Sequence, residues 1–154
     1  MPDNSVFMAA AIVPRVGLAF HHIGVACERI DIETEFWTSL GYQAEGDPFI
    51  DEAQGIRAKF MTGAGPRIEL IEDLDGSSTL APWLKRDVKL YHMGYLADDF
   101  DSAIISVRSQ RAIVLRAPMK SVYFGTRIAF FLMPNRAVIE LIERKAVDIA
   151  LRQT

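Results

Sequence analysis

Two histidines and two glutamates stand out because they come twice in the same order. His22 is followed by Glu69, and His92 by Glu140, with offsets of 70 residues between the histidines and 71 between the glutamates. A neutral imidazole offers a nitrogen lone pair, and a carboxylate offers oxygen and negative charge. Two of each around one point make a mixed N/O set that suits Co, Ni, Mn, Zn or Fe(II) better than Ca or Mg. Such a set leaves part of an octahedral shell open for water or substrate oxygens. Taken singly, a strand histidine is more often structural, and a glutamate alternating with apolar residues is more often on a solvated sheet face. Recurrence in symmetric positions turns that balance toward a metal site at His22, Glu69, His92 and Glu140.

The elements that must position these residues are also written twice. Each glutamate opens the same phrase, Ile68-Glu69-Leu70-Ile71-Glu72 and Ile139-Glu140-Leu141-Ile142-Glu143. The same shift lays His21 to Ala26 on Tyr91 to Leu96, and Gly55 to Phe60 on Gly125 to Phe130. Repeats of this kind mark duplicated structural units. Each unit reads β-α-β-β-β. The first strands run from Ala19 to Cys27 and from Leu90 to Leu96. The first helix is capped by Asp31, turns Ile32, Phe36 and Leu40 to one apolar face, and stops at Gly41. The second is capped by Asp98 or Asp99 and presents Phe100, Ile104 and Val107. The joint between units, residues 73–87, is turn-rich at its start and holds a short helix around Leu80 to Leu84.

Strand alternation assigns the faces. Phe20, His22, Gly24 and Ala26 share one face of the first strand, and Ile23, Val25 and Cys27 share the other. Ile68, Leu70, Ile139 and Leu141 face the helices, as do Met93 and Tyr95. Glu69, Glu140 and both histidines then fall on the face away from the helices. Glu72 and Glu143 read as solvated strand-end charges, Cys27 as packing, and His21 as packing or surface. Arg57 and Arg127 occupy equivalent faces of their strands.

Length and composition set the outer bounds. The 154 residues, half of them hydrophobic, are enough for one compact domain. The expected division is an N-terminal arm over residues 1–17 and a single domain over 18–154. Within it, module one covers about 18–73 and module two about 88–145. A net charge of −3 without a Lys/Arg-dense run argues against a nucleic-acid role. The apolar run from Phe7 to Val13 lacks the basic start of a signal peptide, and no stretch approaches a membrane span. A single cysteine excludes an internal disulfide framework and fits a reducing, cytoplasmic setting.

Together, "HIGVAC" (His22 to Cys27), "QGI" (Gln54 to Ile56), "SSTLAPWL" (Ser77 to Leu84), "YHMGY" (Tyr91 to Tyr95) and "RIAFFLMPN" with "VIELIE" after it resemble the vicinal oxygen chelate superfamily. Within it, they most resemble the methylmalonyl-CoA epimerases. The resemblance covers about Leu18 to Glu143. It implies an α+β fold, two βαβββ modules forming a curved mixed sheet around a metal-binding cavity. It further implies one divalent metal ion on His22, Glu69, His92 and Glu140, and an isomerase or epimerase that moves a carbon-bound proton beside a thioester or carbonyl. Glu140 would be the proton carrier and Glu69 its alternative, with Arg127 available to pair with a carboxylate or phosphate of the substrate. The substrate would be an acyl-CoA or a thiol adduct, and the enzyme a homodimer. Lactoylglutathione lyases are similar in ligand set, and non-catalytic small-molecule or antibiotic binders share the fold. Some bacterial epimerases carry an acid near the "QGV" motif. Here none follows "QGI": Ala58 stands there, and Asp51 and Glu52 precede it.

Overall fold

The computed structural model of the chain describes residues 17–146, so residues 1–16 of the expected arm and 147–154 lie outside the described residues. The elements run in order β1 (Leu18–Ala26), α1 (Ile30–Ser39), β2 (Gln43–Ala44), β3 (Phe49–Asp51), β4 (Ile56–Thr62), β5 (Ile68–Asp73), α2 (Ala81–Leu84), β6 (Leu90–Ala97), α3 (Phe100–Ser109), β7 (Ile113–Lys120), β8 (Arg127–Leu132) and β9 (Val138–Glu143). The expected pair of βαβββ units is therefore present, in an α+β fold. In the first unit, the edge strand is split into β2 and β3, both paired to β4.

All the strands join one mixed sheet in the order β2-β4-β5-β1-β6-β9-β8-β7, with β3 also on β4. The first and last strands of each unit lie parallel, β1 with β5 and β6 with β9. The two units meet where β1 and β6 pair antiparallel. This topology sets the four first and last strands side by side at the centre of the sheet.

One face of the sheet carries both long helices. Under α1, Val25, Cys27, Ile68 and Leu70 pack with Ile30, Tyr42 and Met61. Under α3, Ala97, Ala129, Phe131 and Leu141 pack with Phe100, Ala103 and Val107. Ile68, Leu70, Leu141 and Cys27 thus sit as alternation expected, and Ile139 is partly buried beside them. The opposite face holds Ala26, Ile56, Ala58, Ile71 and Tyr91, closed over by Leu80 and Trp83 of the joint.

Three expectations about the helix side are corrected. Ile32, Phe36 and Leu40 do not face the core; they are 58%, 56% and 53% exposed. The helix begins at Ile30, with no side-chain cap from Asp31, and it buries Ile30 and packs Trp37 instead. Its first free N–H, on Ile30, donates to Glu72 Oε2 at 2.6 Å. A carboxylate suits the positive end of the helix dipole, so Glu72 is a helix cap and not a solvated charge. In α3 the expected cap holds, because the Asp99 side chain accepts from the Ser102 N–H. Second, a register shift between Phe20 and His22 sets Phe20 opposite Tyr95, on the far side of the sheet from His22. Third, Met93 lies on that outer side but is 36% exposed and joins neither helix-side core cluster.

The repeat also extends to ion pairs. Arg57 reaches Glu72 at 2.9 Å and Asp31 at 3.7 Å. Arg127 reaches Glu143 at 2.7 Å and Asp101 at 2.9 Å. Each arginine ties the end of its module's last strand to the first turn of its helix. Glu143 is therefore engaged, and not solvated as expected.

Candidate metal centre

The strand register brings the four candidate ligands together. On one side, Phe60 pairs with Glu69, Glu69 with Gly24, and Gly24 with His92. On the other, His22 pairs with Gly94, Gly94 with Glu140, and Glu140 with Phe130. Cross-strand partners share a face. Each row therefore sets a glutamate and a histidine on either side of a glycine. The glycine is required there: a Cβ on Gly24 would overlap the His92 ring, and one on Gly94 would overlap the His22 ring. Sequence alignment of the halves matched these two glycines but gave them no purpose. It also grouped Glu69 with His22 as module-mates, whereas the sheet rows pair each glutamate with the other module's histidine.

His22, Glu69, His92 and Glu140 are all buried, and one ligand atom from each lies within 4.8 Å of every other. His22 Nε2 is 3.1 Å from Glu69 Oε2 and 3.2 Å from Glu140 Oε2. His92 Nε2 is 3.5 and 3.4 Å from the same two oxygens. The two Nε2 atoms are 2.8 Å apart. Ligand atoms about 2.1 Å from one ion and at right angles would be about 3 Å apart. Glu140 Oε2 is buried, and although both Nε2 atoms are close, it makes no well-formed hydrogen bond to either. Buried polar atoms are rarely left so, and a buried carboxylate is costly unless paired or metal-bound. The donor types, their convergence and the orphaned oxygen fit a divalent transition metal.

Without an ion, the charges lean on one another. Burial alone would lower the His22 pKa, but the carboxylates of Glu140 and Glu69 outweigh it and raise it from 6.5 to about 9. Burial alone would raise Glu140, yet His22 and His92 beside it hold its carboxyl below the usual carboxylate range. A proton on His22 thus offsets part of the negative charge that a metal would neutralise.

Aromatic rings wall the cluster off. Phe60 meets His22 edge-on at 5.1 Å, and Phe130 meets His92 at 5.4 Å. Tyr91 lies 4.5 Å from the His92 ring. Its hydroxyl is pushed well above the usual range by burial, then by Glu69 and Glu140. Tyr123 and Phe124 close over Phe60 from the turn before β8. Low polarity around the site strengthens every charge interaction in it.

Three other residues stand apart from their sequence expectations. His21 is more than packing: its Nδ1 is 2.8 Å from His22 Nδ1, and its Nε2 is 2.8 Å from Arg67 Nη1. Arg67 is itself held by Glu45 at 2.9 Å. Groups behind a metal-ligating histidine orient it. Arg127 is not brought to the site. It alternates with Ile128, and it stacks 4.7 Å over Phe100 of α3 on the helix side. Asp51 pairs with Ile56 on the cluster's face; it is buried, and it accepts from the Gln54 backbone and side-chain amides at 3.0 and 2.9 Å. Asp51 precedes the "QGI" motif in sequence, and the pairing of β3 with β4 is what brings it to this face.

The chain belongs to the Glyoxalase/Bleomycin resistance protein/Dioxygenase superfamily, the vicinal oxygen chelate group, whose family model matches residues 21–130. Among solved structures it is similar to methylmalonyl-CoA epimerase from Mycobacterium tuberculosis, with 25% identity, a TM-score of 0.68, and coverage of 85% of this chain and 91% of that one. A variant of the Streptomyces coelicolor methylmalonyl-CoA epimerase in complex with 2-nitronate-propionyl-CoA is 25% identical, with a TM-score of 0.66 and coverage of 83% and 95%. A hypothetical protein from Bacillus halodurans, 22% identical over 84% of this chain and 96% of its own, shares the fold with a TM-score of 0.71. No curated protein matches the chain.

Two predictions come from this geometry. Gly94→Ala should displace the His22 ring and weaken metal binding at least about tenfold, a loss of the size seen when ligand positioning is disturbed. Calorimetric titration with a divalent metal would measure it, and unchanged affinity would refute the packing argument. The second concerns chelator-treated protein. Stability from the raised His22 pKa is full below pH 6.5 and is lost as pH rises through about 9. Stability from the lowered Glu140 pKa is present above pH 4.5 and lost on acidification. Thermal melts should therefore peak between those limits and decline toward alkaline pH, with metal removing the alkaline decline. A flat profile from neutral to alkaline pH without metal would contradict the charge assignment.

Proposed function

We propose that the protein is a metal-dependent isomerase or epimerase that moves a carbon-bound proton next to a thioester or carbonyl, in the manner of a methylmalonyl-CoA epimerase. The observation that carries this reading is the buried, convergent set His22, Glu69, His92 and Glu140. The metal would be one of Co, Ni, Mn, Zn or Fe(II), held by those four residues. As a Lewis acid it would stabilise negative charge developing on a substrate oxygen. The chain's own contribution is proton transfer. Glu140, buried at the cluster, is our candidate to take the proton, and Glu69, across the cluster from it, to return it. The aromatic walls exclude water that would compete for that proton.

Four intact ligands argue against a purely non-catalytic binder. A lactoylglutathione-lyase-type reaction on a glutathione adduct uses the same donor types and stands as the second reading. The likeness to epimerase structures at 25% identity favours the first.

The assembly we propose is a homodimer in the cytoplasm. Its support is the uncovered apolar surface on the helix side. There, Leu18, Phe20 and Met93 lie on the central β1–β6 pair, and Ile32, Phe36 and Leu40 on α1, all at least 36% exposed. Exposed apolar clusters of this kind mark association surfaces. The one cysteine, Cys27, is buried and unpaired, as suits a reducing compartment.

Incubation of the metal-loaded protein with methylmalonyl-CoA in deuterated water tests the reaction. Deuterium should enter the methylmalonyl carbon, and Glu140→Gln should slow that exchange at least about a hundredfold, the scale of a general base. No exchange, together with thioester formation from methylglyoxal and glutathione, would replace this reading with the lyase.

A further inference from the structure

Arg127, the arginine expected to meet the substrate, faces the wrong side of the sheet. Another arginine faces the right one. Arg116 on β7 pairs directly with Phe130, which pairs with Glu140. It therefore extends the row that runs from His22 through Gly94 and Glu140. Two strand spacings, about 10 Å, separate the backbone of Arg116 from that of Glu140.

Arg116 and Phe130 line a cavity of about 220 Å³ with Gln54, Thr79, Trp83 and Tyr91. Tyr91 and Phe130 are the rings that touch His92, so this cavity abuts the cluster. The arginines elsewhere on the sheet are neutralised: Arg57 by Glu72, Arg67 by Glu45, Arg127 by Glu143, and Arg144 by Asp98. Arg116 instead donates from Nη1 to the Ala53 carbonyl at 3.1 Å and approaches the Met119 sulfur at 3.8 Å. Neither partner carries a charge. Among the described residues its cation has no carboxylate within ion-pair distance, and the residue is partly buried where the cavity wall holds Leu115, Phe130 and Val138. An uncompensated, partly desolvated guanidinium at a pocket is a strong recognition element for an oxyanion.

We propose that Arg116 is the anion-recognising residue of the substrate pocket, and that the substrate carries a carboxylate or phosphate placed to meet it while its reacting carbon lies at the cluster. This rests on the reading of His22, Glu69, His92 and Glu140 as the reaction centre. The anion could come from the acyl part, as a carboxylate, or from a nucleotide carrier, as a phosphate.

Trp83 lines the cavity, so its fluorescence reports occupancy. Metal-loaded wild-type protein would be titrated with succinate, its neutral counterpart succinamide, and coenzyme A, alongside Arg116→Gln and Arg116→Lys. Arg116→Gln should weaken one of the two anions about 10- to 100-fold, as loss of a charge-assisted bond does, with succinamide unaffected and Arg116→Lys intermediate. Weakening of succinate places the anion on the acyl part, and weakening of coenzyme A places it on the phosphates. Equal anion binding by wild type and Arg116→Gln would overturn the proposal, as would no anion binding by the wild type. A parallel metal titration keeps the two readings apart. Unaltered metal uptake with no Arg116 dependence sinks this inference alone, whereas no metal uptake at all sinks the reaction centre.

Discussion

The structure depends on one constraint, which is that two carboxylates and two imidazoles are buried on the same face of one sheet. Removing carboxylates from water is costly, and two of them near each other compound that cost. Their mutual approach is tolerable only with positive charge between them. A proton on His22 supplies part of that charge, and a divalent ion would supply it fully. The aromatic enclosure makes the requirement stricter, since it lowers the polarity that would otherwise screen the charges.

Duplication solves the positioning problem economically. One βαβββ unit can offer only one histidine and one glutamate from its parallel first and last strands. Antiparallel pairing of β1 with β6 brings the second pair alongside in crossed rows. The two glycines then open the gaps that the rings fill. The other duplicated charges serve the scaffold. Arg57 with Glu72, and Arg127 with Glu143, brace strand ends against helix starts on the side away from the chemistry. What differs between the halves is more informative for function. In the first module Arg67 is held by Glu45, whereas Arg116 of the second contacts only the Ala53 carbonyl and the Met119 sulfur among the described residues.

Much of this was legible in the sequence because both signals, period-two alternation and internal repetition, are local or self-referential. They located the four side chains that converge, His22, Glu69, His92 and Glu140, and the packing of Ile68, Leu70, Leu141 and Cys27. The misreadings share a cause. Each needed knowledge of a partner distant in the chain. Spacing makes Ile32, Phe36 and Leu40 one apolar face of α1, but it cannot see that Ile30 and Trp37 are the residues that meet the core under the sheet. Strict alternation puts Phe20 with His22, because a strand irregularity leaves no compositional mark. Arg127 and Arg116 look alike in sequence, and only cross-strand neighbours tell the braced arginine from the unbraced one. His21 and Asp51 gained their surroundings from Arg67 and from the edge strand β3, neither of which periodicity reveals.

The central claim is that the buried cluster is a metal site, and metal analysis tests it most directly. Protein freed of metal with a chelator, then titrated with Co, Ni, Mn, Zn and Fe(II) under reducing conditions, should take up about one ion per chain of at least one of them. His92→Ala should lose that uptake while remaining folded. Wild-type protein that binds none of these ions, or His92→Ala protein that binds as well as the wild type, would contradict the account.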